Sequence, residues 1–173
     1  MKFKTLGIIA VASLAALSLA ACGAAPGGNS AASKGTEIGK TFKLGYDLEL
    51  SGGVAAYGNA GKNGANLAVD EINKAGGING KQITVISKDN KSDNAEAATV
   101  VSNLINNDKV NAVIGSMTSG AVKSMTPNVT KGAVPLVTPA GTDDTLTVTN
   151  GKVNDYIFRS TFQDSYQGKV LAN

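Results

Sequence analysis

Phe42-Lys43-Leu44-Gly45-Tyr46-Asp47-Leu48-Glu49-Leu50 places apolar residues at every second position from 44 to 50, and Ser51-Gly52-Gly53 ends the run. A period of two marks a strand, and a serine and glycine cluster marks the loop that closes it. The period then changes. Gly64, Leu67, Ala68, Ile72 and Ala75 share one face at helical spacing, which predicts a helix with that face inward, and Gly76-Gly77 supplies a left-handed stop. Asn79-Gly80 is a tight-turn dipeptide, after which Gln82 to Ser87 is β-branched and reads as a second strand. Strand, helix and strand within about fifty residues is the βαβ unit of a parallel sheet.

Working outward, the same alternation continues. Asp93 followed by Glu96 resembles a capping box for a helix whose buried face would be Ala97, Val101, Leu104 and Ile105. Val110 to Ile114 is a short apolar run suited to a buried parallel strand, and a helix is predicted from about Ser119 to Val129. Val134 to Val137 repeats the strand signal, and Tyr156 to Arg159 is a fifth, weaker one. The expected class is α/β, a doubly wound parallel sheet with helices on both faces. In such sheets ligands bind beyond the carboxyl ends of the strands. That rule selects four loops: Ser51 to Tyr57, Ser116 to Gly120, Thr138 to Thr142 and Ser160 to Gln163.

Upstream the chain has a different character. Lys2 and Lys4 precede an apolar stretch from about Leu6 to Leu19, and small residues lead to Cys22, the one cysteine in 173 residues. This resembles the lipobox of a bacterial lipoprotein signal peptide, with cleavage before Cys22 and lipid on its thiol. An ordinary signal peptide with an incidental cysteine is the alternative. The expected organisation is a signal peptide over residues 1–21, a flexible glycine- and serine-rich tether over 22–40, and one domain over 41–173.

Composition excludes several functions. Removing residues 1–21 takes away Lys2 and Lys4 and no acid, leaving 14 of the 16 basic side chains against all 13 acidic ones. A chain so nearly neutral, without a basic cluster, offers no footprint for nucleic acid. Histidine is absent, which removes the commonest general base, and a lone thiol cannot form a disulfide framework or a cysteine zinc site. No metal or cofactor site is expected: Gly58, Gly76 and Gly77 lack dinucleotide-loop spacing, and Asp89, Asn90 and Asp93 are not followed by an EF-hand loop. The pairs Asp70-Glu71 and Asp143-Asp144 read as solvated surface.

At the selected loops the sequence resembles a known family. Leu50-Ser51-Gly52-Gly53-Val54-Ala55-Ala56-Tyr57-Gly58, Asn63-Gly64-Ala65 and Ala68 to Lys81 are similar to the opening of the branched-chain amino-acid binding proteins, type I periplasmic binding proteins of Leu/Ile/Val ABC importers. Val113-Ile114-Gly115 before Thr118-Ser119, Val134 to Pro139 before Thr142, and Phe158-Arg159 before Gln167-Gly168 continue the likeness. The resemblance implies a two-lobed receptor of which residues 41–173 are the first lobe, the chain stopping within a helix as a truncated frame would. It also implies capture of leucine, isoleucine or valine without catalysis or cofactor, delivery to an ABC permease in the membrane, and an extracytoplasmic location held by the lipid on Cys22. A sensor or receptor lobe for amides or other small polar solutes is the competing reading.

The resemblance further implies site residues. Ser119 matches the serine that holds the ligand carboxylate, Thr142 the threonine that contacts both ends of the ligand, Ala140 a position offering backbone groups, and Tyr57 an aromatic wall of the side-chain pocket. Read from the residues alone, Ser119 can instead cap a helix starting at Ala121, Thr142 can belong to a turn in Pro139 to Asp144, and Tyr57 can be core.

Overall fold

The computed structural model describes residues 35–172. The proposed cleavage site, Cys22 and most of the tether lie outside them. Among the described residues four helices and seven strands follow in order: β1 (Phe42–Leu48), α1 (Ala55–Lys74), β2 (Ile83–Asp89), α2 (Asn94–Asn106), β3 (Ala112–Gly115), α3 (Ser119–Gly132), β4 (Leu136–Thr138), β5 (Val148–Thr149), β6 (Lys152–Val153), β7 (Ile157–Arg159) and α4 (Asp164–Leu171). Strand order β2-β1-β3-β4-β7 with every pair parallel makes the expected doubly wound sheet. The order reverses between β1 and β3, so the crevice lies beyond Leu48 and Gly115.

Two apolar clusters hold the sheet from opposite faces. Ala97, Val101 and Leu104 of α2 and Val122, Met125 and Val129 of α3 pack with Val113, Leu136 and Ile157 on one side. Val69 of α1 packs with Leu44, Tyr46, Leu48 and Ile83 on the other. The Asp93 cap is present, its Oδ1 accepting from Glu96 N at 2.7 Å. Glu96 does not reciprocate; it pairs with Lys91.

The buried face of α1 is not the predicted one. Leu67 is 62% exposed, whereas Gly58 and Val69 are buried. Glycine decides this. A Cβ on Gly58 would lie 1.9 Å from the Glu49 carbonyl oxygen, and one on Gly61 would lie 2.7 Å from Met117 Sδ. The helix therefore approaches the sheet through its smallest residues, and a pattern weighted by apolar size looks at the wrong side.

Two further departures concern short segments. The hairpin β5–β6 was not foreseen, although it turns on Asn150-Gly151, both with positive φ (50° and 74°), as a two-residue hairpin requires. Upstream, residues counted in the tether are strapped to the domain: Asn111 Nδ2 donates to the carbonyls of Thr36 and Glu37, and Lys81 Nζ to those of Ile38 and Gly39. Among the described residues, no helix is long and apolar enough to cross a membrane.

Candidate functional site

The loop after β1 is fixed from below by the end of β2. Asp89 accepts from Leu50 N, Ser51 N and Ser51 Oγ at 3.0, 3.1 and 2.6 Å. Burial works against its charge, but the Ser51 hydroxyl and the backbone N–H groups of Lys91, Leu50 and Ser51 outweigh it and hold the carboxyl below its ordinary range. Ser92 Oγ accepts from Val54 N and donates to Ser51 O, closing the entry to α1. Tyr57 stands in the first turn of α1 and is 65% exposed, so it is not core.

Between β1 and β3 lies a buried polar cluster. Asn90 Nδ2 donates to Asp47 Oδ1 at 2.9 Å and to Ser116 Oγ at 2.8 Å, and Ser116 Oγ donates to the Asp47 carbonyl at 2.9 Å. Asp47 is fully buried and its Oδ2 has no partner. Burial pushes its carboxyl up to about 7, with the Asn90 bond opposing and the charges of Glu49 and Glu96 adding to the rise. Glu49, 1% exposed, accepts from Met117 N and Thr118 N at 3.0 and 3.1 Å and from Thr118 Oγ1 at 2.8 Å.

Thr118 is the N-cap of α3, yet its side chain makes no cap bond. Its hydroxyl proton is directed to Glu49 instead. The helix starts at Ser119 rather than at Ala121, so Ser119 is its first residue and not its cap, and Ser119 Oγ accepts from Asp143 N at 3.2 Å rather than from its own helix. That contact ties the start of α3 to the loop after β4 and leaves the hydroxyl proton of Ser119 available.

The third loop is built on Thr138, whose Oγ1 donates to Ser116 O at 2.7 Å and accepts from Gly141 N at 2.9 Å. Ala140 and Thr142 flank Gly141 and are half-buried. Arg159 at the end of β7 donates from Nη1 to the carbonyls of Thr142 and Asp143 at 3.2 and 3.0 Å. Asp143 is not idle surface: it pairs with Lys123 at 2.6 Å and accepts from Thr145 N and Oγ1. The Lys123 ammonium and the Thr145 donors hold its carboxyl well below the usual carboxylate range.

Thus Tyr57, Ser119, Ala140 and Thr142 all stand at the carboxyl edge of one sheet. The structure joins Ser119 directly to the Thr142–Asp143 segment, while Tyr57 stands on another element, in the first turn of α1. Sequence reasoning missed Asp47, Glu49, Asn90 and Ser116. The signal was there: two acids alternate with leucines in a strand destined for a sheet covered on both faces, where neither face is solvent. Among the described residues, no cluster of acidic, cysteine or histidine side chains could hold a metal ion.

The family described as periplasmic binding protein matches residues 41–173. The chain belongs to that family. It is 33% identical over 130 residues to the leucine-, isoleucine-, valine-, threonine- and alanine-binding protein of Pseudomonas aeruginosa, covering 75% of this chain and 34% of the relative. Among solved structures it is similar to the branched-chain amino acid transporter substrate binding protein LivJ of Streptococcus pneumoniae in complex with isoleucine. There the identity is 56% and the TM-score 0.72, over 78% of this chain and 37% of the other. A solute binding protein of an ABC transporter from Rhodopseudomonas palustris, in complex with 3,4-dihydroxybenzoic acid, is 31% identical with a TM-score of 0.64, over 72% of this chain and 33% of the other. The chain spans about a third of the length of these proteins.

Proposed function

We propose that residues 41–173 form the first lobe of an extracytoplasmic receptor that captures leucine, isoleucine or valine for an ABC permease, anchored to the membrane by lipid on Cys22. The observation that carries the reading is the uncapped start of α3 beside the free hydroxyl proton of Ser119, with the Thr142 loop bonded to it. Free N–H groups and the helix dipole at that end favour a carboxylate, and a serine hydroxyl adds a donor. Isoleucine and 3,4-dihydroxybenzoate, the ligands of two similar structures, are unlike except that both carry a carboxylate. In this reading the edge of the sheet is the carboxylate end of the site, and the carboxylate common to those two ligands supports it. Thr142 and the backbone at Ala140 complete it, and Tyr57 borders the aliphatic side chain. Binding proceeds without chemistry in this reading, which the likeness to substrate-binding proteins supports.

The test is calorimetry on the full-length protein with leucine and with leucinamide, which lacks the carboxylate. Leucinamide should bind far more weakly, and Ser119→Ala should weaken leucine by about 1.5 to 3 kcal/mol, the worth of a hydrogen bond to a charged group. Equal binding of the two ligands would sink the assignment.

A further inference from the structure

We infer that Glu49 is a positioning residue that keeps the start of α3 open for ligand by occupying the hydroxyl of Thr118. The inference rests on the carboxylate site proposed above. A threonine at an N-cap ordinarily turns its oxygen toward the second or third N–H of the helix. Here those groups belong to Gly120 and Ala121, and a capped helix would offer them to no ligand. Thr118 does not cap. Its hydroxyl donates to Glu49 Oε1 at 2.8 Å, and the same carboxylate takes the Thr118 and Met117 N–H groups. Three bonds from one short segment fix both the backbone and the rotamer of the cap residue.

Glu49 is itself immovable. It follows β1 directly, is almost wholly buried, and its carbonyl abuts Gly58 of α1 so closely that a Cβ there would overlap it. Met117 packs its sulfur over Gly61 of the same helix, so the segment between β3 and α3 is gripped by its N–H on one side and its side chain on the other. The negative charge is placed where it accepts the N–H groups just before the helix and leaves those of the first turn uncommitted. A neutral side chain at 49 could not hold the hydroxyl as firmly, and charge-assisted bonds are roughly twice as strong as neutral ones. Released, Thr118 Oγ1 would rotate to cap α3 and compete with the ligand carboxylate.

A double-mutant cycle reads this directly, with leucine binding to the full-length protein followed by calorimetry. Glu49→Gln should weaken binding about fivefold, the equilibrium worth of an N-cap bond. Thr118→Val should leave the wild type within about twofold but restore most of the loss in the Glu49→Gln background, because valine cannot cap. Thermal unfolding of each variant reports folding, and a purely structural role for Glu49 would not be rescued by deleting a second hydrogen-bonding group. Equal effects of Thr118→Val in both backgrounds overturn the inference. Ser119→Ala, run alongside, separates the two readings: weakened leucine binding there without coupling between 49 and 118 leaves the site standing and removes the role of Glu49, whereas undiminished binding removes both. If Glu49→Gln does not fold, amide exchange in the wild type decides. The Gly120 and Ala121 amides should exchange freely in apo protein and slow on adding leucine, and protection already present without ligand overturns the inference.

Discussion

Replacing Asp47 by asparagine should make the protein more stable above neutral pH and slightly less stable in acid. In the unfolded chain this carboxyl ionises at 3.8, and burial in the fold raises it to about 7. The folded state therefore holds a proton that the unfolded state has released over that interval, and stability falls as pH rises from about 4 to about 7. At 1.36 kcal/mol per pH unit, the interval amounts to about 4 kcal/mol lost by the time Asp47 is ionised in both states. Asparagine never ionises. Its Oδ1 can keep the bond from Asn90, while its amide nitrogen would occupy the place of Oδ2, which has no partner. An unpartnered donor there costs about 1 kcal/mol, the low end of the usual range, because a protonated carboxyl already leaves a hydroxyl in that place. The net expectation is a gain of about 3 kcal/mol at about pH 8, a loss that approaches about 1 kcal/mol only below about pH 3, and curves that cross close to pH 4.5. Urea titrations of both proteins across this range give the difference directly, since groups far from Asp47 cancel. Parallel stability profiles, or a variant less stable than wild type at pH 8, would refute the argument that Asp47 is kept protonated by burial.

Two further outcomes test other parts of the structure. Gly58→Ala should destabilise by about 3 kcal/mol or more in thermal or urea unfolding, because the new methyl overlaps the Glu49 carbonyl, whereas Gly64→Ala on the open side of α1 should stabilise by about 0.5 to 1 kcal/mol. Metabolic labelling with a fatty acid should mark the wild type and not Cys22→Ala, and labelling that survives the substitution would contradict the lipoprotein reading.

The elements of the sheet were legible wherever period and punctuation agreed. Leu44 to Leu50, Asp93 to Ile105 and Val110 to Ile114 each announced a strand or helix that the structure contains, because their apolar side chains recur at the element's own period or run together where both faces are covered. The wrong face of α1 came from treating glycine as neutral, when Gly58 and Gly61 mark the closest approach of helix and sheet. The β5–β6 hairpin is too short for periodicity, and only Asn150-Gly151 betrays it. Of the site, the family's pattern marked loop positions, and the fold set Ser119 against the Thr142–Asp143 segment. The burial of the acids beneath follows from a sheet covered on both faces, but their partners were illegible for a physical reason. Which polar groups meet Asp47 and Glu49 inside depends on Asn90, Ser116 and Thr118, which lie 43 to 69 residues in sequence from the acid each one bonds and meet it only in the folded chain.

The bonds from Asn90 through Asp47 and Ser116 to Thr138 and Gly141 cross four adjacent strands just beneath the loops. They act as a crossbar: no loop at this edge can shift without dragging its neighbours. A jaw braced in this way meets every ligand with the same shape, so little binding free energy is lost to ordering it. It also cannot mould itself to one side chain in preference to another. On the function proposed above, discrimination between leucine, isoleucine and valine falls to Tyr57, which lies outside this crossbar, and to the surface that closes on the far side of the ligand, while the braced loops read the part those molecules share.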